Sequence, residues 1–522
     1  MTASPTPTGT TPTHLHAAVT RCRNRLARRV VAAVGPDGLL PAPCASRALE
    51  SALTLALLNA EHAEPEAARR LTAFLRTTLH SDPPDALQRA VAHAALGRHC
   101  DAEGALRDGL GAFDHFTAGR KQLMFQTLLA ALGATEYPAA PWEAYDATGQ
   151  QSWLHMEMTA LKVLTAYGTH RTTMVNDADW HALLPALQPG PAWERNNFAQ
   201  LLALLALRHC PRHRAALRDT LKHVAGRLRP DGGVPFVDGL DLFATAVAGL
   251  ALCRLEPTAA EVAAMADALA VRRNADGGFG FHPGVRQSDV DDTCYALEFL
   301  RRAAPERHRA AIGAAEAYLL DVRNPDGGFP TFARGTCSEI AMTAAAATAL
   351  APNPGHGEAV RAAVRHVAAH QQADGTFERS WSRSATNAIF RAVLALRCTE
   401  PDDPETPAFT EAAERALRHL AATQHPDGGW GHTRGDSSDP ITTAYAVIAL
   451  SSLPGHRTAR DRALAHLVAR QQPDGGYRSR PDQAGPRPLL FDVPVLADVF
   501  VLLALAHATA PTAAGTARRP RP

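Results

Sequence analysis

From about residue 215 onward the chain alternates two kinds of stretch. The first is Ala/Leu-rich, with apolar residues three and four positions apart, as in ITTAYAVIALSSL (Ile441 to Leu453) and ALAHLVARQQ (Ala463 to Gln472). That spacing lines apolar side chains along one helix face. The second is a short turn of Asp-Gly followed by an aromatic or bulky residue. It occurs in RPDGGVPF, RNADGGFGF, RNPDGGFP, QQADGTF, QHPDGGWG and QQPDGGY, at Asp231, Asp276, Asp326, Asp374, Asp427 and Asp474. Recurrence at roughly 50 residues signals one supersecondary unit stacked many times. Each unit holds two helices, and the glycine after Asp ends one of them and supplies a positive φ. Strand-like alternation is almost absent. The predicted class is all-α, with helix pairs curling into a closed inner and outer ring. Closure shields the apolar faces that an open array must cap.

The first half is less regular. GPDGLLPAPCASRALESALTLALLNAEH (Gly35 to His62) reads as a degenerate copy of the unit, and QSWLHMEMTALKVLTAYG (Gln151 to Gly168) as one that has lost its turn. A second helical domain of similar design is expected here, with PALQPGPAW (Pro185 to Trp193) as its best linker candidate. The helix around Arg21 to Val34 is a candidate for the ring of the second half.

Composition narrows the class. The 522 residues suit two or three domains, or an array plus a second domain, and 46% hydrophobic residues are ample for large cores. A net charge of +1 gives no electrostatic case for nucleic acid. Eight cysteines without a CxxC pair point to a reduced, cytoplasmic setting rather than a zinc ribbon. No apolar run is long enough to span a membrane, and the start lacks the features of a signal peptide. Residues 1–13 and 509–522 read as disordered tails.

One repeat departs from the others. After Asp276 the chain reads SDVDDTCYALEFL, placing Asp289, Asp291 and Asp292 at the mouth of an apolar stretch. A single acidic residue there would be a helix cap. Three carboxylates within four residues repel unless one keeps its proton. A clustered, partly protonated carboxylate beside an apolar cavity suits protonation of an alkene, a very weak base. A carboxylic acid is the strongest neutral acid among side chains, and its neighbours titrate with it as one coupled unit. Aromatic walls would stabilise a carbocation and exclude the water that quenches it.

The Asp-Gly-Gly-aromatic turns, taken with Asp289-Val290-Asp291-Asp292-Thr293, resemble the class II terpene cyclases, among them squalene–hopene cyclases and copalyl-type diphosphate synthases. The resemblance covers about residues 215 to 510. It implies that Asp291 is the general acid and that Asp289 and Asp292 hold its proton and geometry. It also implies two α/α barrels, β and γ, with the cavity between them. The expected division is 14–34 as the first β helix, 35–212 as γ and 213–508 as β. Glu339, Thr293 and Trp381 are candidates for orienting the acid or lining its cavity, Trp381 equally as core packing. A shorter chain with 6% aromatic residues favours linear prenyl diphosphates over triterpenes.

GRKQLMFQTLLAALG (Gly119 to Gly133) resembles the basic-then-TLL segment of copalyl diphosphate synthases. Arg120 and Lys121 are therefore candidate diphosphate contacts, or else an exposed basic helix start. The resemblance implies Mg2+ with the diphosphate, its ligands unplaced; Glu61, Glu64 and Glu66 read as a solvated helix face. The expected reaction turns geranylgeranyl diphosphate into a bicyclic copalyl-type diphosphate, in a monomer or homodimer. Farnesyl diphosphate giving drimenyl diphosphate is the alternative. No convincing metal motif for ionising the diphosphate appears, Asp177 and Asp179 being too few.

Two rivals stand. A protein prenyltransferase β-like subunit shares the barrel, and Asp292-Thr293-Cys294-Tyr295 resembles its zinc motif. Zinc needs a further ligand, usually His, and GTCSEIAMTAAAA has none, His356 lying in a separate loop. A non-catalytic helical-repeat binding protein explains the repeats but not three clustered carboxylates.

Overall fold

The structure, a computed structural model, describes residues 12–81, 84–255 and 259–509. The stretches 1–11 and 510–522 of the expected tails lie outside these. Pro12 already opens the first helix, and Thr509 closes the last.

Six helices pack side by side: Asp241–Leu252, Val290–Ala303, Ile340–Leu350, Ala385–Ala395, Pro440–Leu450 and Val495–Thr509. The last packs back on the first, closing a ring. Each carries an outer helix running the opposite way: Ala259–Ala270, Arg309–Val322, Gly357–Ala369, Thr406–Thr423, Arg457–Arg470 and, around the last, Pro12–Ala32. Four of the inner helices, Asp241–Leu252, Ile340–Leu350, Pro440–Leu450 and Val495–Thr509, are apolar on nearly every side, and Pro440–Leu450 is buried along its whole length. A helix of that composition is stable only inside a core. The N-terminal helix is tied in by a 3.0 Å contact from Cys22 to the Tyr477 hydroxyl and by Arg29 on Asp498 at 2.9 Å.

A second ring of five forms from Ala48–Ala60, Ala86–Ala95, Ala118–Ala131, Ser152–Gly168 and Asn197–Leu207. The buried apolar residues accordingly form two clusters. The linker candidate at Pro185 to Trp193 lies inside the second ring, with Ala186 and Ala192 buried. A two-residue antiparallel pairing, Ser46–Arg47 with Val234–Pro235, stitches the crossing points of the chain.

The Asp-Gly turns are built alike. Asp326 accepts from the Gly328 amide and the Ser338 hydroxyl, each at 2.9 Å. The Phe329 amide donates to Thr343 Oγ1 at 2.9 Å, and the Glu339 amide to the Phe329 carbonyl at 2.9 Å. Gly327 has φ +83°, and a Cβ there would stand 3.0 Å from the Ala362 carbonyl oxygen, so only glycine fits. Each turn thus delivers the chain, in fixed register, to the first residue of the next inner helix.

Two turns pack across the expected boundaries. Gly38 sits against Ala264 and Ala268 of the six-helix ring, and Leu39, Leu40 and Cys44 join that ring's core. Gly232, beside Asp231, instead packs against Arg70 of the five-helix ring. The helix Arg214–Gly226 also buries Leu217, Leu221 and Val224 in the second cluster. A turn belongs to the core its flanking apolar residues enter, which chain order alone does not reveal.

Among the described residues no helix is long and apolar enough to cross a membrane.

Candidate active site

The inner helices are parallel, so their N-termini share one pole. The carboxylate cluster stands there because the Asp276 turn places it. The Gly278 amide and the Ser288 hydroxyl donate to Asp276 at 3.0 and 2.8 Å. The Asp289 amide donates to the Phe279 carbonyl at 3.0 Å. Asp289 then caps the helix Val290–Ala303, accepting from the Asp292 amide at 2.8 Å. Thr293 does not line the cavity. Its hydroxyl donates to the Asp289 carbonyl at 2.6 Å and accepts from the Phe279 amide at 2.9 Å, bracing the cap from behind.

The three carboxylates differ in surroundings. Asp289 and Asp292 are each 6% exposed. Burial lifts Asp289 to about 6, and the Asp291 charge adds to this, while hydrogen bonds from Asp292 work against it. Burial, then the Asp289 charge, lifts Asp292 well above the ordinary carboxylate range. Asp289 and Asp292 therefore keep a proton to higher pH than open carboxylates would. Asp291 is the most open of the three, its side chain 23% exposed, and it faces Arg391 Nη2 at 2.7 Å. Burial works against the Arg391 charge, but Asp291 and then Tyr295 hold its proton more firmly than usual. The guanidinium also stacks over the Tyr295 ring at 4.9 Å.

The cluster opens on a cavity of about 170 Å³ between the two rings. Trp153, Phe236, Phe243, Phe281, Phe332 and Trp381 wall it. Phe332 meets Trp153 and Trp381 edge-on, at 5.1 and 5.7 Å between centroids. Such rings present negative faces to a cation.

The same cavity reaches a cationic wall. Arg120 and Lys121, on the helix Ala118–Ala131, both line it. Lys121 is buried, which brings it down to about 8, against the pull of Glu157. Burial raises Glu157 to about 7, although Lys121 and Arg120 oppose this. Arg487 is the third cation. It donates to Glu339 at 2.6 Å and to Ser380 Oγ at 2.9 Å, and lies 4.4 Å from the Trp381 ring centroid. Burial would raise Glu339, but Arg487 and the hydroxyls of Ser380 and Thr331 bring it below its ordinary value. Glu339 does occupy the cap position equivalent to Asp289 and lines the cavity, yet its carboxylate is spent on Arg487, not on the aspartates. The Trp381 indole N–H donates to Thr331 Oγ1 at 2.9 Å.

Other candidates lie elsewhere. Glu61 pairs with Arg208 and the exposed Glu66 with Arg69. Asp179 closes a capping box and pairs with Lys162 at 2.8 Å. His356 faces Glu316, and Cys294 is buried behind the cluster. Among the described residues no three His, Cys, Asp or Glu gather in a way that could hold a metal ion. Sequence reading passed over Arg391, Arg487 and Glu157. The signal was present for two of them, the lone charge of the apolar helix ATNAIFRAVLA and one of the two charges in SWLHMEMTALKVLTAYG.

The chain is similar to known proteins. Residues 293–485 match the family described as Prenyltransferase alpha-alpha toroid domain. The chain is 69% identical over 524 residues to a drimenyl diphosphate synthase of Streptomyces showdoensis, covering 98% of each chain. It is 59% identical over 515 residues to a drimenyl diphosphate synthase of Streptantibioticus cattleyicolor, covering 95% of this chain and 96% of the relative. Among solved structures, ent-copalyl diphosphate synthase from Streptomyces platensis superposes with a TM-score of 0.58 at 19% identity, over 94% of this chain and 99% of that one. That likeness concerns the fold.

Proposed function

Within the class II terpene cyclases, to which this chain belongs, we propose that it converts farnesyl diphosphate into drimenyl diphosphate and keeps the diphosphate intact. One observation carries the reading: a single aromatic-walled cavity is lined both by the Asp289, Asp291 and Asp292 cluster and by the cations Arg120, Lys121 and Arg487. The choice of the C15 chain over geranylgeranyl diphosphate rests on the relatives named above, which are drimenyl diphosphate synthases at 69% and 59% identity.

In this proposal Asp291 is the general acid, being the carboxyl most open to the cavity. Its O–H breaks as a C–H bond forms at the terminal alkene. Arg391, at 2.7 Å, pairs with the carboxylate left behind. Asp289 and Asp292 pass the cluster's shared proton to Asp291 before that step. The polyene closes in sequence to a decalin, and the aromatic walls face the moving positive charge. Loss of a proton ends the reaction. Arg120, Lys121 and Arg487 take the diphosphate, Arg by its fork and Lys as a point charge. Magnesium, when bound with the diphosphate, would neutralise part of its charge. Among the described residues no three carboxylate, histidine or cysteine side chains gather to hold it, and Glu157 and Glu339 already face cations, so it would arrive with the substrate.

Incubation with farnesyl or geranylgeranyl diphosphate and Mg2+, then phosphatase and gas chromatography–mass spectrometry, tests the reading. Drimenol from the C15 substrate is expected. A bicyclic alcohol from the C20 substrate alone would return the assignment to the copalyl type, and none from either would end it.

A further inference from the structure

One residue, Thr331, ties the acid to the cationic wall. The Val290 amide, which opens the helix carrying Asp291, donates to the Thr331 carbonyl at 2.9 Å. The Thr331 hydroxyl donates to Glu339 Oε1 at 2.6 Å, and Glu339 Oε2 accepts from Arg487 Nη1 at 2.6 Å. Trp381 closes the figure. Its indole N–H donates to the same Thr331 hydroxyl at 2.9 Å, and its ring centroid lies 4.4 Å from Arg487 Cζ. Ser380 accepts from Arg487 at 2.9 Å and donates to Glu339. Thr331, Glu339 and Arg487 are only 5, 2 and 7% exposed, so these bonds form away from water, where they are strong and hold their geometry.

Asp289 and Glu339 cap neighbouring inner helices, Val290–Ala303 and Ile340–Leu350. Packed helices lie about 8–10 Å apart, axis to axis. Arg487 is thereby pinned to the helix beside the acid's own, about one such spacing away. That span has a chemical meaning. Closing a decalin from the terminal alkene of a C15 chain leaves a single carbon between the bicycle and the diphosphate. A C20 chain leaves one isoprene unit more. The two substrates therefore differ in how far from the acid the diphosphate must lie. We propose, resting on the cyclase reading above, that Thr331 and Glu339 are positioning residues that set this distance through Arg487, and so select the C15 prenyl diphosphate over the C20 one.

The surroundings give Arg487 a second place to go. His115 Nε2 lies 3.1 Å from Arg487 Nη1 and 3.6 Å from Glu378 Oε1. The Glu378 side chain is 35% exposed, against 3% for Glu339, so it stands nearer to solvent. A guanidinium released from Glu339 turns outward to that carboxylate, because a buried charge without a partner is costly. The span from acid to cation then lengthens. Arg120 and Lys121 sit on a helix of the other ring, independent of this strut, and stay available to a diphosphate placed further out. Thr331 acts one step earlier. Losing its hydroxyl frees Glu339 Oε1 and the Trp381 indole together, while its carbonyl keeps its bond to Val290.

Initial rates of wild type, Glu339→Gln and Thr331→Val on farnesyl and geranylgeranyl diphosphate with Mg2+ test the strut, each variant being checked first for native melting. The quantity read is the ratio of kcat/KM for the C20 substrate to that for the C15 one. It should rise by about tenfold or more in both variants, as the C15 chain loses its fit and the C20 chain gains one. A purely structural role would slow both substrates alike. A ratio within about twofold of wild type, or a lower one, would therefore overturn the proposal. Should Glu339→Gln fail to fold, Thr331→Val, which exchanges one hydroxyl for a methyl, carries the test alone. A wild type that turns over the C20 substrate as readily as the C15 one would overturn it too. If the cyclase reading itself is at fault, wild type forms no bicyclic alcohol from either substrate, and the proposal falls with it; drimenol from wild type upholds that reading whatever the ratio does.

Discussion

Asp291 and Arg391 meet at 2.7 Å although one hundred positions separate them in the chain. The contact links the second and fourth helices of the inner ring, and it sets the most open carboxyl of the cluster against a buried guanidinium.

Asp291→Asn should lower turnover by at least about 100-fold, the usual span of a general acid, with melting close to wild type. Arg391→Lys should lose less, since it keeps the charge but not the planar fork. Steady-state product formation and thermal melting of both variants check this. Asp291→Asn retaining a tenth or more of wild-type turnover would remove Asp291 from its proposed role.

Stability should depend on pH through the cluster. The folded pKa of Asp289, about 6, lies above its ordinary 3.8, and Asp292 is raised further. Such a group favours the fold most at pH below its unfolded value, and that contribution is lost as pH climbs through the folded one. Asp292→Asn removes one buried charge and relieves Asp289. It should therefore melt higher than wild type at about pH 8, with the gap shrinking toward about pH 4. A gap that does not vary with pH would refute this account.

Lys121→Met should raise KM for the prenyl diphosphate by roughly 10- to 100-fold, the worth of a hydrogen bond to a charged group, with kcat much less affected. Inhibition by inorganic diphosphate should weaken in parallel. Equal sensitivity of both quantities to a Lys121→Arg change would favour a packing role instead.

Arg487 and Glu339 form a buried pair. Arg487→Met strands the Glu339 carboxylate and should destabilise the fold by about 3–5 kcal/mol, whereas Arg487→Met with Glu339→Leu should recover most of that. Denaturant unfolding of the two single variants and the double one completes the cycle. Additive losses would show that the partners are not coupled.

The repeat was legible in the sequence because its chemistry is local. Asp276, Gly278 and Ser288 lie within 13 residues of the cap they build, so Asp289, Asp291 and Asp292 could be singled out together with their place at a helix start. The fate of Glu339 was not legible. Its cap position follows from the repeat, but its partner comes from a loop almost 150 residues away, and only the packed loop brings Arg487 to it.

By itself, then, the sequence determined the all-α repeat, the turns that set its register and the three clustered carboxylates, since each depends on neighbours along the chain. Tertiary structure alone decided which of the three carboxyls is most open, which arginines meet Asp291 and Glu339, and which core each Asp-Gly turn joins. Those outcomes rest on ring closure, which brings distant segments into contact and sets which charges lose their water.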